Sequence, residues 1–162
     1  MKKYLLLVAI LFASCAEQKQ EPKTAGYSIR GEEESYMIGS DETTDFIRKW
    51  ADAHNERDME SILSMEKADI KIELPDGTVI NGQDEHSKVL ESFFANNVTW
   101  KPYWMLPYNS VVAKEKWVIA GFALTSNVDG EENVVLHMGD IQLEDGLVIR
   151  IIVYENQRPK KK

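Results

Sequence analysis

Apolar residues recur at helical spacing in three segments of the chain. The first segment follows Ser40, a residue type that caps helices, and carries Phe46 and Trp50 on one face. Asp58 is placed to cap a second, shorter segment. The pattern predicts three helices, over residues 41–54, 59–65 and 85–94.

Alternating apolar and polar residues predict strands between and after these helices. Residues 69–74 alternate, Pro75-Asp76-Gly77 predicts a turn, and a short strand is expected at residues 78–81. Beyond Asn97, β-branched and aromatic residues dominate, and Asp-Gly pairs mark hairpin turns. The strands expected in this second half are 98–105, 110–114, 116–127, 134–143 and 147–154.

The order of these elements predicts the fold class. Three helices are interleaved with a short hairpin, and a long run of antiparallel strands follows. This order is typical of an α+β fold in which a curved antiparallel sheet wraps around three N-terminal helices. The predicted folded part, residues 41–158, has the size of one domain.

The start of the chain has the layout of an export signal. Residues 1–3 are basic at Lys2 and Lys3, residues 4–13 are apolar but too few to span a bilayer, and small residues precede Cys15. The run Phe12-Ala13-Ser14-Cys15 resembles the signal of bacterial lipoproteins. This resemblance implies that residues 1–14 are removed and that Cys15 is lipidated. The alternative is an ordinary signal peptide with a chance cysteine.

The segment after the signal is predicted to be a tether. Cys15 is the one cysteine among 162 residues, so it cannot form an intramolecular disulfide, and acylation explains its position best. Residues 15–40 are poor in large apolar groups, which predicts a flexible link from lipid to domain. Residues 36–38 are expected to dock on the domain as a hydrophobic staple. The predicted location is the bacterial cell envelope, facing the periplasm or the cell surface.

The mature chain is strongly acidic. Removal of residues 1–14 takes away two lysines and leaves 17 basic against 27 acidic residues, a formal net charge of −10. Such a surface repels phosphate backbones, so nucleic acid is not an expected partner. The basic tail, residues 159–162, is expected to be solvated. The membrane is expected as a partner through the lipid anchor.

Short motifs along the domain carry a family resemblance. They are Phe46, Trp50, Asn55 and Asp58, then Leu74-Pro75-Asp76-Gly77, Gly82 and Asp84, and finally Glu144-Asp145-Gly146 with Tyr154. Together they resemble the nuclear transport factor 2-like superfamily, and most of all its SnoaL-like branch, which includes polyketide cyclases and relatives of ketosteroid isomerase. The resemblance covers the whole domain and implies a cone-shaped fold that serves enzymes, binding modules and assembly domains alike.

The resemblance also implies where isomerase relatives carry their catalytic groups, an Asp base and an oxyanion hole of Tyr and protonated Asp. The base position falls on Leu74, which cannot take a proton. The Tyr position falls on Trp50, whose indole N–H donates but does not accept. The second acid falls at Asp140 or, without a β-bulge, at Gly139. Isomerase chemistry of that type is therefore not expected.

A different set of residues is expected to line the cone. Alternation puts His137 and Gly139 on one face of their strand and Asp140 on the other. If the first face meets the helices, His137 lies near Trp50, and Gly139 leaves space beside it. The predicted ligand-binding residues are Trp50, His54, Tyr103, Trp104, Trp117 and His137.

Structural roles are alternatives for each of these side chains. His137 is also explained as a partly buried histidine that bonds Asp140, Tyr103 or a backbone carbonyl. His54, near a helix C-terminus, suits a capping role. The aromatic residues suit either a pocket or core packing. Tyr103 and Trp104 are adjacent in one strand, so at most one of them is expected to face the cone.

No cofactor and no metal site are expected. His54, His86 and His137 lie in separate predicted elements without the HxH or HxxxH spacing of metal ligands. The sequence has no Gly-rich phosphate loop and no nucleophile elbow.

The last predicted strand is apolar on both faces. Within residues 147–154, Arg150 is the one polar position. Helices can cover one face, and the other face then needs a partner. Members of the superfamily often dimerise through the outer face of the sheet, so a homodimer is expected.

Three functions follow from these observations. The leading hypothesis is a membrane-anchored lipoprotein whose domain binds a small, largely apolar ligand in an aromatic pocket without catalysis. The second is an enzyme that uses His137 and Asp140 as an acid/base pair for isomerisation, cyclisation or dehydration. The third is a dimeric interaction domain whose cone is filled by its own side chains.

Overall fold

The structure of the protein, a computed structural model, describes residues 24–28, 34–128 and 130–156. The predicted signal peptide (residues 1–14), Cys15 and the predicted basic tail (residues 159–162) lie outside the described residues. Within the described ranges, no helix combines the length and the apolar character needed to cross a membrane.

Three helices form where the apolar pattern predicts them. They are α1 Asp41–Glu56, α2 Met59–Ser64 and α3 Gly82–Ala95. Ser40 Oγ accepts a backbone N–H of the first turn of α1 at 3.2 Å, and the Asp58 carboxylate does the same for α2 at 3.0 Å. Helix α3 begins earlier than predicted, because Gly82, with φ of +78°, turns the chain directly from a strand into the helix.

In the part of the chain that the structure describes, eight strands form one curved, mixed sheet. They are β1 Gly26–Tyr27, β2 Ser35–Ile38, β3 Glu66–Glu73, β4 Val79–Asn81, β5 Thr99–Ser110, β6 Lys116–Val128, β7 Glu131–Glu144 and β8 Leu147–Asn156. Their order across the sheet is β1-β2-β5-β6-β7-β8-β3-β4. The predicted α+β fold with a curved sheet is confirmed. The sheet is not wholly antiparallel, because β8 returns beside β3 and runs parallel to it.

The strands predicted over residues 98–105 and 110–114 have wrong boundaries. One strand, β5, runs through to Ser110, and residues 111–115 form a turn. The Glu34 carboxylate accepts the backbone N–H groups of residues 111–113 at 2.8–2.9 Å. Hydrogen bonds from these groups, that of Val112 foremost, hold the pKa of Glu34 below its usual range. The turn depends on a distant carboxylate, which the local pattern cannot show.

Part of the predicted tether, residues 15–40, belongs to the sheet. Strand β2 pairs with β5, with Ile38 opposite Tyr108, and β1 pairs with β2. Residues 36–38 therefore extend the sheet through backbone hydrogen bonds and do not dock as a hydrophobic staple. The Ile38 side chain, 60% exposed, agrees with this edge position.

The core lies between the helices and one face of the sheet, which we call the inner face. Ile47 of α1, Ile70 of β3 and Val118 of β6 are fully buried there. The opposite, outer face carries large exposed side chains, among them Leu106 and Tyr154. The inner face and the helices thus enclose the interior in which a ligand site can form.

Candidate functional site

A cavity of about 110 Å³ lies between helices α1 and α3 and the inner face of the sheet. Its walls are almost entirely carbon. The lining residues are Trp50, Ala51, His54, Ile72, Leu74, Ile80, His86, Val89, Phe93, Trp100, Phe122, Leu124, His137, Gly139, Ile141, Ile151 and Val153.

The volume sets the size of what the cavity can hold. Pockets for drug-sized ligands measure roughly 300–1,000 Å³, whereas an engineered apolar cavity of roughly 150 Å³ in another protein binds benzene. At about 110 Å³, this cavity suits a molecule of about one ring. Because the space is open, the protein's own side chains do not fill the cone as the interaction-domain hypothesis requires.

A buried polar cluster interrupts the apolar wall. It consists of His54 in the last turn of α1, Glu66 at the start of β3 and His86 near the start of α3, each at most 5% exposed. His86 Nδ1 lies 3.0 Å from Glu66 Oε2. The indole N–H of Trp50 donates to the other oxygen, Oε1, at 2.8 Å. Both oxygens of the buried carboxylate therefore have partners, as burial requires.

The His54 ring is held in one tautomer. Its Nδ1–H donates to the backbone carbonyl of Trp50 at 2.7 Å, so the other ring nitrogen, Nε2, carries the lone pair when the ring is neutral. Burial lowers the pKa of His54 to about 4; the bond to the Trp50 carbonyl opposes this shift, and nearby His86 adds to it. His54 is thus a neutral acceptor at neutral pH.

The Nε2 atoms of His54 and His86 face the cavity. Neither atom has a hydrogen-bond partner among the described residues. Among those residues, every side-chain N or O atom that is fully shielded from solvent does have a partner, so these two atoms are not fully shielded. Both atoms therefore reach open space, and both rings line the cavity. Each can accept a hydrogen bond from a bound molecule when it carries a lone pair.

Packing fixes these rings in place. The Gln83 side-chain amide donates to the backbone carbonyls of Leu63 and Glu66 at 2.7 and 2.9 Å, which ties α3 to the start of β3. The Trp100 ring packs edge-on against His54 at 5.0 Å between centroids. The backbone of Trp100 exchanges two hydrogen bonds with the Asn55 side chain, at 2.7 and 2.8 Å. Strand β5 is thereby fixed to the end of α1.

Strand β7 supplies the facing wall. His137 and Gly139 line the cavity, as alternation predicts. His137 is partly exposed, and its Nε2 lies 3.5 Å from Glu155 Oε2. A Cβ added at Gly139 would meet the Phe122 ring at 3.5 Å, an ordinary contact, so the missing side chain leaves room in the cavity. Leu74 also lines the wall and offers no proton acceptor.

Asp140 lies on the outer face and does not join His137. It pairs with Ile119 of β6 in the sheet register and accepts the hydroxyl of Tyr108 at 2.7 Å. Burial raises the pKa of Asp140, while the Tyr108 hydrogen bond and the charge of Arg150 oppose that shift. The predicted acid/base pair of His137 and Asp140 is therefore wrong as a pair, because no bulge rotates β7 at this point and adjacent residues face opposite sides.

Three of the predicted ligand-binding residues lie on the outer face. A bulge in β5 between Pro102 and Trp104 puts both Tyr103 and Trp104 over Gly121, where an added Cβ would overlap both rings. Trp117 stacks on Tyr108 with centroids 6.2 Å apart. The prediction that Tyr103, Trp104 and Trp117 contribute to the pocket is corrected on this ground, whereas Trp50, His54 and His137 do line the cavity.

Sequence reasoning missed Glu66, His86 and Trp100 as parts of the site. The strand containing Trp100 was expected, but no local signal indicated that Trp100, which lies opposite Leu124 in the sheet register, faces inward. Glu66 and His86 are 20 positions apart in different elements, so no motif spacing signals their contact. One signal was available. Val89 and Leu90 lie three and four residues after His86 in α3, so the three side chains share one helical face, and this indicates an inward imidazole ring.

No protein-family model matches the sequence, and no curated protein matches it. Solved structures do match. SalBIII, described as an epoxide hydrolase/cyclase-like enzyme with a role in pyran ring formation in the polyether salinomycin, is 17% identical with a TM-score of 0.63; the match covers 74% of this chain and 95% of SalBIII.

Two further structures show the same fold. An NTF2-like protein of unknown function from Cytophaga hutchinsonii is 15% identical, with a TM-score of 0.55 over 74% of this chain and 92% of that protein. Bal32a, from a soil-derived mobile gene cassette, is 13% identical, with a TM-score of 0.61 over 71% and 89%. These likenesses confirm the nuclear transport factor 2-like fold, and at such identities they do not carry an activity over.

Proposed function

We propose that the domain binds a small, largely apolar molecule of about one ring that carries a hydrogen-bond donor. The observation behind this proposal is an apolar cavity of about 110 Å³ lined by His54 and His86, whose Nε2 atoms have no hydrogen-bond partner among the described residues. The carbon walls favour an apolar body, and the two acceptors favour a donor at one end of it.

The two parts of the site contribute differently. Burial of apolar surface supplies affinity, at roughly 25 cal/mol per Å². The buried acceptors supply selectivity, because a ligand without a donor leaves them unpaired, at a cost of roughly 1–3 kcal/mol. A hydroxylated ring should therefore bind more tightly than a methylated ring of equal size.

Phenol and toluene form the matched pair that tests this proposal. We expect both to bind the full-length chain, purified in detergent, and phenol to bind at least about tenfold more tightly, measured by isothermal titration calorimetry. In His86→Gln the preference for phenol should shrink, whereas in Leu106→Gln, on the outer face, it should persist. Equal affinities for phenol and toluene in the wild type, or no binding of either, would contradict the proposal.

A second candidate function is acid–base catalysis at the same site. The observation that favours it is the contact between Glu66 and His86, since a carboxylate that fixes a histidine tautomer and stabilises its charged form is the support that a general base needs. In this account His86 Nε2 takes a proton from a carbon next to a carbonyl group in the cavity. The fold likeness to SalBIII, itself described as an enzyme, agrees with this candidate as well as with binding alone.

Proton exchange distinguishes catalysis from binding. A general base at His86 should accelerate the exchange of α-protons of cyclopentanone in D₂O, followed by NMR, and His86→Gln should abolish the acceleration. Exchange at the buffer rate with a ketone shown to occupy the cavity would leave binding as the function.

We also propose that Cys15 is lipidated and that the domain is held in the bacterial cell envelope. The support is the order of basic, apolar and small residues before a single cysteine. Expressed in a bacterium, the chain should incorporate an alkyne-tagged palmitate and sediment with membranes, and Cys15→Ser should do neither. An unlabelled wild-type chain would contradict the anchor.

The outer face of the sheet supports a homodimer. Tyr103, Trp104, Leu106 and Tyr154 are each 40–55% exposed there, a cluster of large apolar side chains that a second copy of the chain would cover. This proposal is independent of the cavity, since the cluster lies on the opposite side of the sheet.

A further inference from the structure

Three buried side chains beside the cavity form a cluster in which one member, Glu66, is not required by the binding function. His54, Glu66 and His86 come from α1, β3 and α3 and are at most 5% exposed. Each offers a nitrogen or oxygen ligand atom, and these atoms lie within 4.8 Å of one another. To accept a hydrogen bond from a largely apolar ligand, the site needs the two imidazoles but not the buried carboxylate beside them.

Two imidazoles and one carboxylate are the ligand set of several zinc and non-haem iron sites. We propose that His54, Glu66 and His86 bind one divalent transition-metal ion of the zinc type, with a coordination position open to the cavity. The proposal deepens the proposed function, because it concerns the same cavity and would place a Lewis acid where the polar group of a ligand lies.

The contacts around the cluster match the support that metal ligands usually have. A ligating histidine commonly donates its second ring N–H to a carbonyl or carboxylate. His54 does so through Nδ1–H to the carbonyl of Trp50 at 2.7 Å, which leaves Nε2 as the ligand atom. The indole of Trp50 donates to Glu66 Oε1 at 2.8 Å, which leaves Oε2 as the ligand atom. One residue, Trp50, thus orients two of the three ligands.

The spacing within the cluster also suits an ion. His86 Nδ1 and Glu66 Oε2 are 3.0 Å apart. With metal–ligand bonds of roughly 2.0–2.2 Å, two atoms at that separation can both reach one ion. The ion would then replace the proton between them, so binding releases a proton. The acidic surface of the mature chain, with its formal net charge of −10, favours the approach of a cation.

Cobalt(II) provides the test, because its visible absorption reports coordination directly and needs no organic ligand. The full-length chain is purified in detergent without a histidine tag, stripped with a chelator and titrated with CoCl₂. We expect one ion per chain, displaced by Zn²⁺. His86→Gln and Glu66→Gln should each weaken binding at least about tenfold. His137→Gln, at a cavity histidine outside the cluster, should leave binding unchanged.

Several outcomes would overturn the site. Absence of saturable cobalt binding would do so, as would binding that the cluster variants leave intact or that His137→Gln abolishes. If the cluster variants fail to fold, X-ray absorption at the zinc edge of the wild type decides, since the site requires two imidazole ligands. Fewer than two would overturn it. Phenol affinity is measured separately on the stripped chain, so failure of the metal site and failure of the binding proposal are distinguishable.

Discussion

His86 Nδ1 lies 3.0 Å from Glu66 Oε2, and both residues are at most 5% exposed. The Glu66 carboxylate is buried, and it bonds to an imidazole that lines an apolar cavity. The polar groups that could act on a bound molecule therefore lie together at one point. That point lies where α1, α3 and β3 meet, across the cavity from His137. Recognition, catalysis and metal binding would all involve His86.

The depressed pKa of His54 predicts that the protein loses stability in mild acid. The folded pKa is about 4, and an unfolded histidine titrates near roughly 6.5. Between these values the unfolded chain binds more protons, so the free energy of unfolding falls as pH falls through that window. We expect the His54 contribution to drop by about 2 kcal/mol from pH 7 to pH 5.

Urea unfolding in the presence of a chelator measures this effect. The wild type and His137→Gln should lose stability in parallel between pH 7 and pH 5. His54→Gln should show a flatter dependence, because the titrating group is gone. Superimposable pH dependences for the wild type and His54→Gln would show that burial of this imidazole does not control acid stability.

Filling the space at Gly139 should abolish ligand binding without unfolding the domain. The position is extended backbone in β7, where β-branched residues are favoured, and a Cβ there meets Phe122 at an ordinary 3.5 Å. Gly139→Val therefore adds its methyl groups to the cavity. We expect phenol binding by calorimetry to be lost while circular dichroism stays unchanged. Ala123→Val, on the outer side of β6, is the matched control, and retention of phenol affinity in Gly139→Val would place the ligand elsewhere.

The outer-face pair of Asp140 and Tyr108 should affect stability but not ligand binding. Burial raises the pKa of Asp140, so its contribution to stability falls as pH rises from its usual value through the raised one. Asp140→Asn removes that cost and keeps an acceptor for the Tyr108 hydroxyl. We expect an unchanged or slightly higher melting temperature at pH 7 and unchanged phenol affinity.

Tyr108→Phe is the counterpart of Asp140→Asn. It removes the donor of the 2.7 Å hydrogen bond and should lower the free energy of unfolding by about 1 kcal/mol. Loss of phenol binding in either variant would mean that the two faces of the sheet are coupled and that Asp140 belongs to the site after all.

A charge on the outer face should separate the proposed dimer. Leu106 is 44% exposed within the outer-face cluster, so Leu106→Arg buries a charge in the interface of the dimer. Analytical ultracentrifugation should show a dimer for the wild type and a monomer for this variant. Val79→Arg, on the edge strand β4 and 39% exposed, should remain dimeric. A monomeric wild type would contradict the proposed homodimer.

Local patterns predicted much of the fold because they act over short distances. Helical spacing directed Trp50 and His54 inward, and strand alternation separated His137 from Asp140. What local patterns could not show depends on contacts between distant segments. The Glu34 carboxylate ends β5 from outside that strand, and β8 pairs in parallel with β3 from the far end of the chain.

The site was harder to predict than the fold for the same reason. The contact between Glu66 and His86 arises from packing of α3 on the start of β3, and no spacing rule encodes it. Strand alternation would put Tyr103 and Trp104 on opposite faces, but the bulge before Trp104 puts them on the same face. The one local sign of this bulge was Pro102, because proline suits irregular strand positions. A single extra residue in β5 thus puts two adjacent aromatic rings on the same, outer face.

In the proposed function, imidazole nitrogens in the cavity accept a hydrogen bond from the bound molecule, and nitrogen-15 NMR of the histidine side chains detects that bond. In the metal-free chain at pH 7, His54 should show an unprotonated Nε2 and a protonated Nδ1, as its bond to the Trp50 carbonyl requires. Adding phenol should move the Nε2 resonance of His54 or His86 towards the hydrogen-bonded range and leave the ring nitrogens of His137 in place, while toluene should move neither. Resonances of His54 and His86 that do not respond to phenol at saturation would show that neither imidazole bonds the ligand, against the proposed function.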